Sequence, residues 1–545
     1  MTYTGGIRQM DAVPREAQTD DDVAAARCHI KKVVLSNFKK FDTLTLDFQP
    51  DLNVLIGDNE AGKSSILLAI DLALSGSRSK VEALGIDTLL RKQAIDHFLS
   101  GKKRVADLPA LAVEVYLSDL DDWEAQGRCN SLHENTFGLR FTCEPSDDYG
   151  DEIRQVLSQP EGNFPFEFYA IRFITFGGQP YGGHRKYAQH LLIDSSQINT
   201  DYAHREYTRK LYQAHATASE RAVHENQYRQ AKRSFWTDHL RDLNAKLDVK
   251  FWVRSSSRSN LESDLVIVKD DMPIENKGRG QQSLIKTEFA LQRGAGKRGL
   301  DVLLLEEPEN HLSHVNMRAL VEDIAQASGK QLFVATHSSL ICSRLDLRKA
   351  ILLDSGGNHA KLEHLDESTA AFFCKAPDHN VLEFAMSRKV ILVEGDAEFI
   401  LISELYRHAT GSTLEKDKVH VIAVGGTSFK RYLALAKLLN IQTAVVRDND
   451  GDYQKTCVDN YEDFAADHVK VFADPQADRS TFEICLYQDN AAICDKLFKN
   501  ARRTLSVQDY MLSNKAEAAL ALLKAKGLEL KVPSYLCEAM AWIRQ

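Results

Sequence analysis

The stretch NVLIGDNEAGKSSILLAIDLALSG at residues 53–76 constrains this chain more than any other. Its first five residues form a short apolar run ending in glycine, which predicts a buried strand. SSILLAIDLALSG has helical spacing and stops at Gly76. Between them lies Gly57-Asp-Asn-Glu-Ala-Gly62-Lys63-Ser64, the pattern GxxxxGKS. Glycines there let backbone N–H groups wrap phosphates at a helix N-terminus, where the dipole favours anions. Lys63 then neutralises β/γ oxygens and Ser64 holds Mg²⁺. Gly57, Asn59, Gly62, Lys63, Ser64 and Ser65 are therefore expected to bind a nucleotide, ATP.

A phosphate loop needs an acid on a neighbouring strand. Val302-Leu-Leu-Leu-Glu306-Glu307-Pro308 supplies two. Glu306 at the strand tip suits the Mg²⁺ shell, and Glu307 suits orienting or deprotonating the attacking water. His337 ends a third apolar strand, FVATH, placed to sense the γ-phosphate. Gly278, Gly280 and Gln282 form a GxGxQ segment upstream of the acids. This order resembles the ABC-type ATPases of the SMC and RecF kind. In that family the glycine segment contacts a nucleotide held by a partner subunit, so the resemblance implies a homodimer or higher homo-oligomer. The segment reads GRGQQ rather than LSGGQ. The interval from Lys63 to Gly278 is far too short for an SMC-length coiled coil, and Gln93 is a weak candidate for the family's Gln-loop residue.

Further along, residues 110–117, 168–175, 265–269, 301–307, 331–337 and 349–355 read as strands with helices among them, a mostly parallel α/β arrangement. Residues 1–27 are polar and read as a flexible tail. Residues 28–380 form the expected ATPase domain, with a helical insertion over about 185–260. The 201–260 segment carries 12 Lys/Arg against 7 Asp/Glu, with Tyr207, Tyr212, Tyr228, Phe235 and Trp236 interleaved. Two readings stay open for it: an amphipathic arm that packs or dimerises, or a DNA-tracking surface. The whole chain is acidic, with a formal charge of −9. That excludes a histone-like DNA coater but not local contacts with a polyanion. Nine scattered cysteines without a CxxC pair read as reduced thiols of a cytoplasmic protein, and no run is long enough for a membrane helix.

After a polar stretch at 375–388 a second strand-first set begins, and residues 386–545 form the second expected domain. The strand VILV leads into Glu394-Gly395-Asp396-Ala397-Glu398, and TAVV leads into Arg447-Asp448-Asn449-Asp450-Gly451-Asp452. In a parallel sheet both tips lie on one edge, where α/β sites form. Carboxylates converging there repel unless a cation neutralises them, and an all-oxygen set suits Mg²⁺ or Mn²⁺.

The EGxxE motif, the Gly425-Gly426 turn with Phe429, and the DxD resemble the Rossmann-like Toprim domain. An ABC-type ATPase ahead of a Toprim domain is the arrangement of the OLD (overcoming lysogenization defect) family. Thr481-Phe482-Glu483 resembles that family's second-metal segment, and the helix starting at Lys515 resembles its lysine segment. The resemblance implies a two-metal DNA endonuclease. One metal would be held by Glu394, Asp448 and Asp450, with Asp452 nearby. The other would be held by Glu398 and Glu483, with Lys515 stabilising the transition state. The family further implies a role in anti-phage defence, alone or as effector beside a helicase or a reverse transcriptase with its RNA and DNA (a retron). The alternative is an ATP-gated DNA-binding or sensing scaffold whose Toprim fold does not cut.

Overall fold

A computed structural model of the 545-residue chain describes residues 28–545 apart from 119, 121, 160–162, 184–186, 196–200, 247, 249, 254–259, 292–299, 355, 376–379, 427, 500–503 and 526–529. The expected tail, 1–27, lies outside the described residues.

The chain opens with a hairpin of β1 (Ile30–Phe38) and β2 (Phe41–Asp47), followed by β3 (Leu52–Gly57) and helix α1 (Lys63–Ser75). β1 then pairs antiparallel with β4 (Leu111–Leu117), β4 with β5 (Thr136–Pro145) and β5 with β6 (Tyr169–Thr175), building an antiparallel sheet. A second, mostly parallel sheet contains β3, β7 (His190–Asp194), β8 (Val302–Glu306), β9 (Gln331–Thr336), β10 (Ala350–Leu353) and β11 (His359–Lys361), in the order β11-β10-β3-β9-β8-β7. Alternation divides its side chains between two cores. Leu55, Leu304, Phe333 and Ile351 face α1 and the antiparallel sheet. Val54, Ile56, Leu303, Leu305 and Val334 face the opposite layer. Helix α1 is apolar nearly all round because it lies between sheets, with Ile66, Leu67, Ile70 and Leu74 buried.

Two expectations are corrected here. His190–Asp194 falls inside the span 185–260 expected to be a helical insertion, yet it is the edge strand of the parallel sheet, paired with β8 in register Val302↔His190 to Glu306↔Asp194. Its short apolar run HLLID carries no period that separates strand from helix. The expected strand 265–269 reduces to a two-residue hairpin, Val268–Lys269 against Met272–Pro273, whose Val268 and Met272 stand in solvent. The arm itself consists of α2 (Asp201–His215), anchored by buried Tyr207 and Leu211, and α3 (Ala218–His239), which has no buried residue. Helix α4 (Arg279–Leu291) returns the chain to the head.

Two short helices, α5 (Glu367–Lys375) and α6 (Val381–Met386), lead to the second parallel sheet. Its strands are β12 (Lys389–Val393), β13 (Val419–Ala423), β14 (Gln442–Val446) and β15 (Val469–Phe472), in the order β13-β12-β14-β15. Helix α7 (Asp396–Thr410) follows β12, and α8 (Phe429–Leu439) follows β13. The Tyr432 ring of α8 meets Phe373 of α5 and Phe384 of α6 edge-on, with centroids 5.2 Å apart in each case. One apolar core therefore runs from the head through α5 and α6 into Val390, Leu392 and Val445. The far face of this sheet packs on α7, α9 (Lys515–Lys524) and α10 (Ser534–Arg544). Among the described residues no helix is long and apolar enough to cross a membrane.

Candidate functional site

The two parallel sheets each carry polar residues at strand ends. In the head, the backbone of β3 turns into α1 through the glycine loop. A Cβ at Gly57 would stand 2.5 Å from the Leu353 carbonyl oxygen, and one at Gly62 would stand 2.4 Å from the Phe41 ring. Gly62 caps α1 at φ 98°, a left-handed conformation that glycine adopts without steric cost. The Lys63 ammonium donates to the carbonyls of Gly57 at 2.6 Å and Asp58 at 3.1 Å. Burial pulls its pKa below the ordinary value, against the attraction of Glu307, Asp58 and Glu309. Asn59, Ser64, Ser65, Gln93 and Glu307 join Gly62 and Lys63 around one cavity of about 550 Å³.

Ser64 donates to Glu306, whose carboxyl is raised by burial and then by Asp194 and Glu307 nearby. Glu307 adopts φ 47°, and its carboxylate meets the His337 imidazole. Glu309 completes this group: its Oε1 accepts the His337 backbone N–H at 3.3 Å and the Thr336 hydroxyl. The loop, both acids and His337 thus converge. Gly278, Gly280 and Gln282 do not join them. Gly278 precedes α4 and the other two lie in its first turn, where a Cβ on Gly280 would lie 2.1 Å from the His311 carbonyl oxygen. Gln282 donates back to the carbonyls of Glu275 and Lys277 at 3.1 and 2.7 Å. None of the three lines the Lys63 cavity.

In the second sheet, Glu394 follows β12, and Gly395 turns the chain into α7. Gly426 donates to the Glu394 carbonyl at 3.2 Å. Gly425 and Gly426 take φ 66° and 95°, so this turn is glycine for conformational reasons. Glu398, Asp448 and Glu483 are only 5%, 7% and 3% exposed. Burial, then the charges of Glu398, Glu394 and Glu483, push the Asp448 carboxyl up to about 8. Burial and then Glu483 push Glu398 up to about 7. Burial likewise raises Glu394. Lys515 reaches Glu483 Oε2 at 3.0 Å, and Glu483, Asp448 and Glu398 raise its pKa against partial desolvation of a half-exposed side chain.

The loops are fixed by backbone. The Phe482 N–H donates to Asp448 Oδ1 at 2.7 Å, and the Asp450 N–H to the Ser480 carbonyl at 3.2 Å. Asn449, buried between them, donates to the carbonyls of Asp474 at 2.6 Å and Gln476 at 2.8 Å, and accepts from the Gly451 N–H at 2.7 Å. It clamps the Asp448 loop to the segment that carries Glu483. Asp450 is exposed and faces Arg447 at 3.6 Å. Asp452 is exposed and accepts the Lys455 N–H at 3.1 Å, a local cap rather than a member of the buried cluster.

Sequence reasoning missed Arg447, Asn449, Glu309 and Asp194. Arg447 lies between the Phe429 and Tyr461 rings, 5.7 Å from each centroid, and donates to the Tyr461 hydroxyl at 2.6 Å. Its only sequence signal is its place directly before Asp448. Asp194 ends a strand as Glu306 does, a signal legible once HLLID is read as a strand.

Residues 386–450 match the family model "Overcoming lysogenization defect protein-like, TOPRIM domain". AAA-domain models match residues 32–108 and 183–343. This chain joins an ATPase head to an OLD-like Toprim domain. The chain is 27% identical over 184 residues to the Old nuclease of Escherichia phage P2, covering 31% of each chain. It is 47% identical over 138 residues to the DNA replication and repair protein RecF of Lactococcus lactis subsp. cremoris, 24% of this chain and 33% of that one. The matched parts therefore span about a third of these relatives' own length. The solved C-terminal region of the Burkholderia pseudomallei OLD protein aligns at 20% identity and TM-score 0.25, over 29% of this chain and 97% of that one.

The carboxylate cluster fits divalent cations. Glu394 Oε2 and Glu483 Oε1 are buried and accept no hydrogen bond among the described residues, and buried acids left so close need neutralising. A pH dependence follows. The folded-state pKa of Asp448 (about 8) and Glu398 (about 7) lie above their ordinary values of 3.8 and 4.5. The folded chain thus holds extra protons between those limits, so metal-free stability is greatest below about pH 4 for these groups and falls as pH rises toward 8. A dication competes with those protons. Mg²⁺ is expected to raise the thermal midpoint of the nucleotide-free protein more near pH 8 than near pH 5, measured by scanning calorimetry. Equal shifts at both pH values would count against the assignment.

Proposed function

We propose that this protein is an ATP-regulated, metal-dependent DNA endonuclease that acts in defence against phage. The observation that supports it most is the buried trio Glu398, Asp448 and Glu483 beside half-buried Glu394 and exposed Lys515, at the C-terminal edge of one parallel sheet. Glu394, Asp448 and Asp450 would hold one Mg²⁺ or Mn²⁺, and Glu398 and Glu483 a second. Such a pair supplies a more acidic water and charge stabilisation at the scissile phosphate. The protein's own contribution is positional. Asn449 fixes the two acid-bearing loops against each other, and Arg447 keeps Asp450 near Glu394. Lys515, which pairs with Glu483 at 3.0 Å, would offset negative charge on the phosphate.

In the head, Lys63 and the loop amides would bind the ATP phosphates, and Ser64 and Glu306 would hold its Mg²⁺. Glu307 orients water with His337 beside it, while Glu309 holds the backbone of His337. The separation of Gly278, Gly280 and Gln282 from the Lys63 cavity supports a site completed by a second copy, hence a homodimer or larger homo-oligomer. A helicase, or a reverse transcriptase with its nucleic acid, belongs to the same proposal as an outside partner. The continuous core through α5, α6 and Tyr432 gives nucleotide state a route to the Toprim edge. Lys63→Ala is expected to weaken ATP binding at least about tenfold, since a buried charge-assisted contact is lost. It is also expected to abolish the effect of ATP on DNA cutting, read on plasmid DNA with and without ATP. Cutting by Lys63→Ala that still responds to ATP as the intact protein does would sink the regulatory reading.

A further inference from the structure

Helix α3 carries a feature that neither sheet uses. Among 22 residues it has no buried one, so packing does not explain its composition. Arg229, Arg233 and Trp236 follow one another at helical spacing on one face. Residues 251–253 return alongside and bring Trp252 against Trp236, with ring centroids 4.3 Å apart and planes tilted by 46°. The Trp236 indole N–H is satisfied by the Phe251 carbonyl at 2.9 Å, and Asn244 holds the Phe251 backbone from both sides, at 2.7 and 3.0 Å. The pair is thus fixed rather than loose. Trp252 is nevertheless 66% exposed and Phe251 56% exposed. Trp236, Trp252, Arg229 and Arg233, with Gln230 and Lys232, line a cleft of about 740 Å³ with no acidic side chain among its lining residues. Lys232 is turned to Asp264 at 3.5 Å. Arg229 and Arg233 are exposed and have no carboxylate partner among the described residues.

Rigid, solvent-facing indoles beside cations serve few ligands well. A second copy of this chain is a poor occupant: a two-fold contact through this patch would set Arg229 and Arg233 against their own counterparts. An acidic peptide would use the arginines but leave the indole faces idle. Single-stranded nucleic acid uses both, with bases stacking on aromatic faces and phosphates tracking the basic edge. Duplex DNA hides its base faces and would meet only the arginines. We propose that the Trp236–Trp252 cleft on the helical arm binds a single-stranded stretch of nucleic acid by base stacking, with Arg229 and Arg233 on its phosphates. This deepens the nuclease reading and rests on it for biological sense, but binding at the cleft needs neither cutting nor metal.

The test is fluorescence titration of the full-length protein in EDTA with oligo(dT) and oligo(U) of about a dozen nucleotides, the length scale of one stacking groove. The intact protein is expected to bind with quenching of tryptophan emission. Trp252→Ala is expected to weaken binding at least about fivefold, as loss of one stacked base does. Arg229→Gln/Arg233→Gln, which leaves the indole pair in place and guards against local unfolding, is expected to lower the salt dependence of log affinity by about 1.4, since each phosphate contact contributes about 0.7 on single strands. A preference for oligo(dT) or for oligo(U) identifies which strand the cleft takes. Unchanged affinity in both variants overturns the proposal. So does equal binding of a blunt duplex, or a Trp252→Ala variant altered only in oligomeric state by sedimentation. A protein that binds through the cleft but cuts no DNA refutes the nuclease reading and leaves this one standing. A protein that cuts but binds without Trp252 does the reverse.

Discussion

Asp448→Asn is expected to lower metal-dependent DNA cutting by about a thousandfold, roughly 4 kcal/mol of lost transition-state stabilisation, without unfolding the domain. The two halves of that expectation have separate causes. Asp448 is the acid most crowded by its neighbours, and its carboxyl is raised to about 8 by burial and by Glu398, Glu394 and Glu483. An amide of the same shape keeps an oxygen for the Phe482 N–H, 2.7 Å away, but removes a negative charge from a place where three others remain. The metal-free variant should therefore melt at or above the temperature of the parent at pH 8, while initial cutting rates on plasmid DNA collapse. A variant that melted far lower would mean that Asp448 is a structural residue, and one that cut normally would remove it from the metal site.

The second large effect is expected in the head. Glu307→Gln should slow ATP hydrolysis by about 10²- to 10⁴-fold, the range associated with losing a positioned proton acceptor, while leaving ATP affinity within a few-fold. Phosphate release under single-turnover conditions gives the first quantity and equilibrium binding of a labelled nucleotide the second. Glu307 touches His337 and borders the Lys63 cavity, whereas the proposed phosphate-binding groups are the loop amides and Lys63. Its φ of 47° is a strained setting that only the surrounding turn holds in place. Parallel loss of affinity and turnover would instead place Glu307 among the binding groups.

Much of this was legible in the sequence because chemistry that needs a strand tip announces itself locally. Gly57–Ser64, Glu306-Glu307, His337, Glu394–Glu398 and Asp448 each follow a short apolar run, and the structure puts each at the end of a strand. Glu483 and Lys515, more weakly marked, meet at 3.0 Å. What escaped was set by distant contacts. HLLID became a sheet strand because β8 offered an edge, while the comparably apolar 265–269 met no sheet and stayed a two-residue hairpin. β5 was not predicted at all, and its Gly138 reflects a ring from elsewhere: a Cβ there would lie 2.1 Å from Phe176. Asp452 was expected near the first metal beside the DxD, but its carboxylate caps the next turn. Arg447 carried no motif, since its two aromatic neighbours come from segments 18 and 14 residues away.

DNA cutting by the Toprim acids with divalent metal is the proposed activity. It is tested most directly by the conversion of supercoiled plasmid to nicked and linear forms in Mg²⁺ or Mn²⁺, comparing the intact protein with Glu394→Ala prepared identically. The intact protein is expected to cut, with EDTA abolishing the cutting and Glu394→Ala lacking it. Absence of cutting by the intact protein across both metals, or cutting that survives the loss of Glu394, would contradict it.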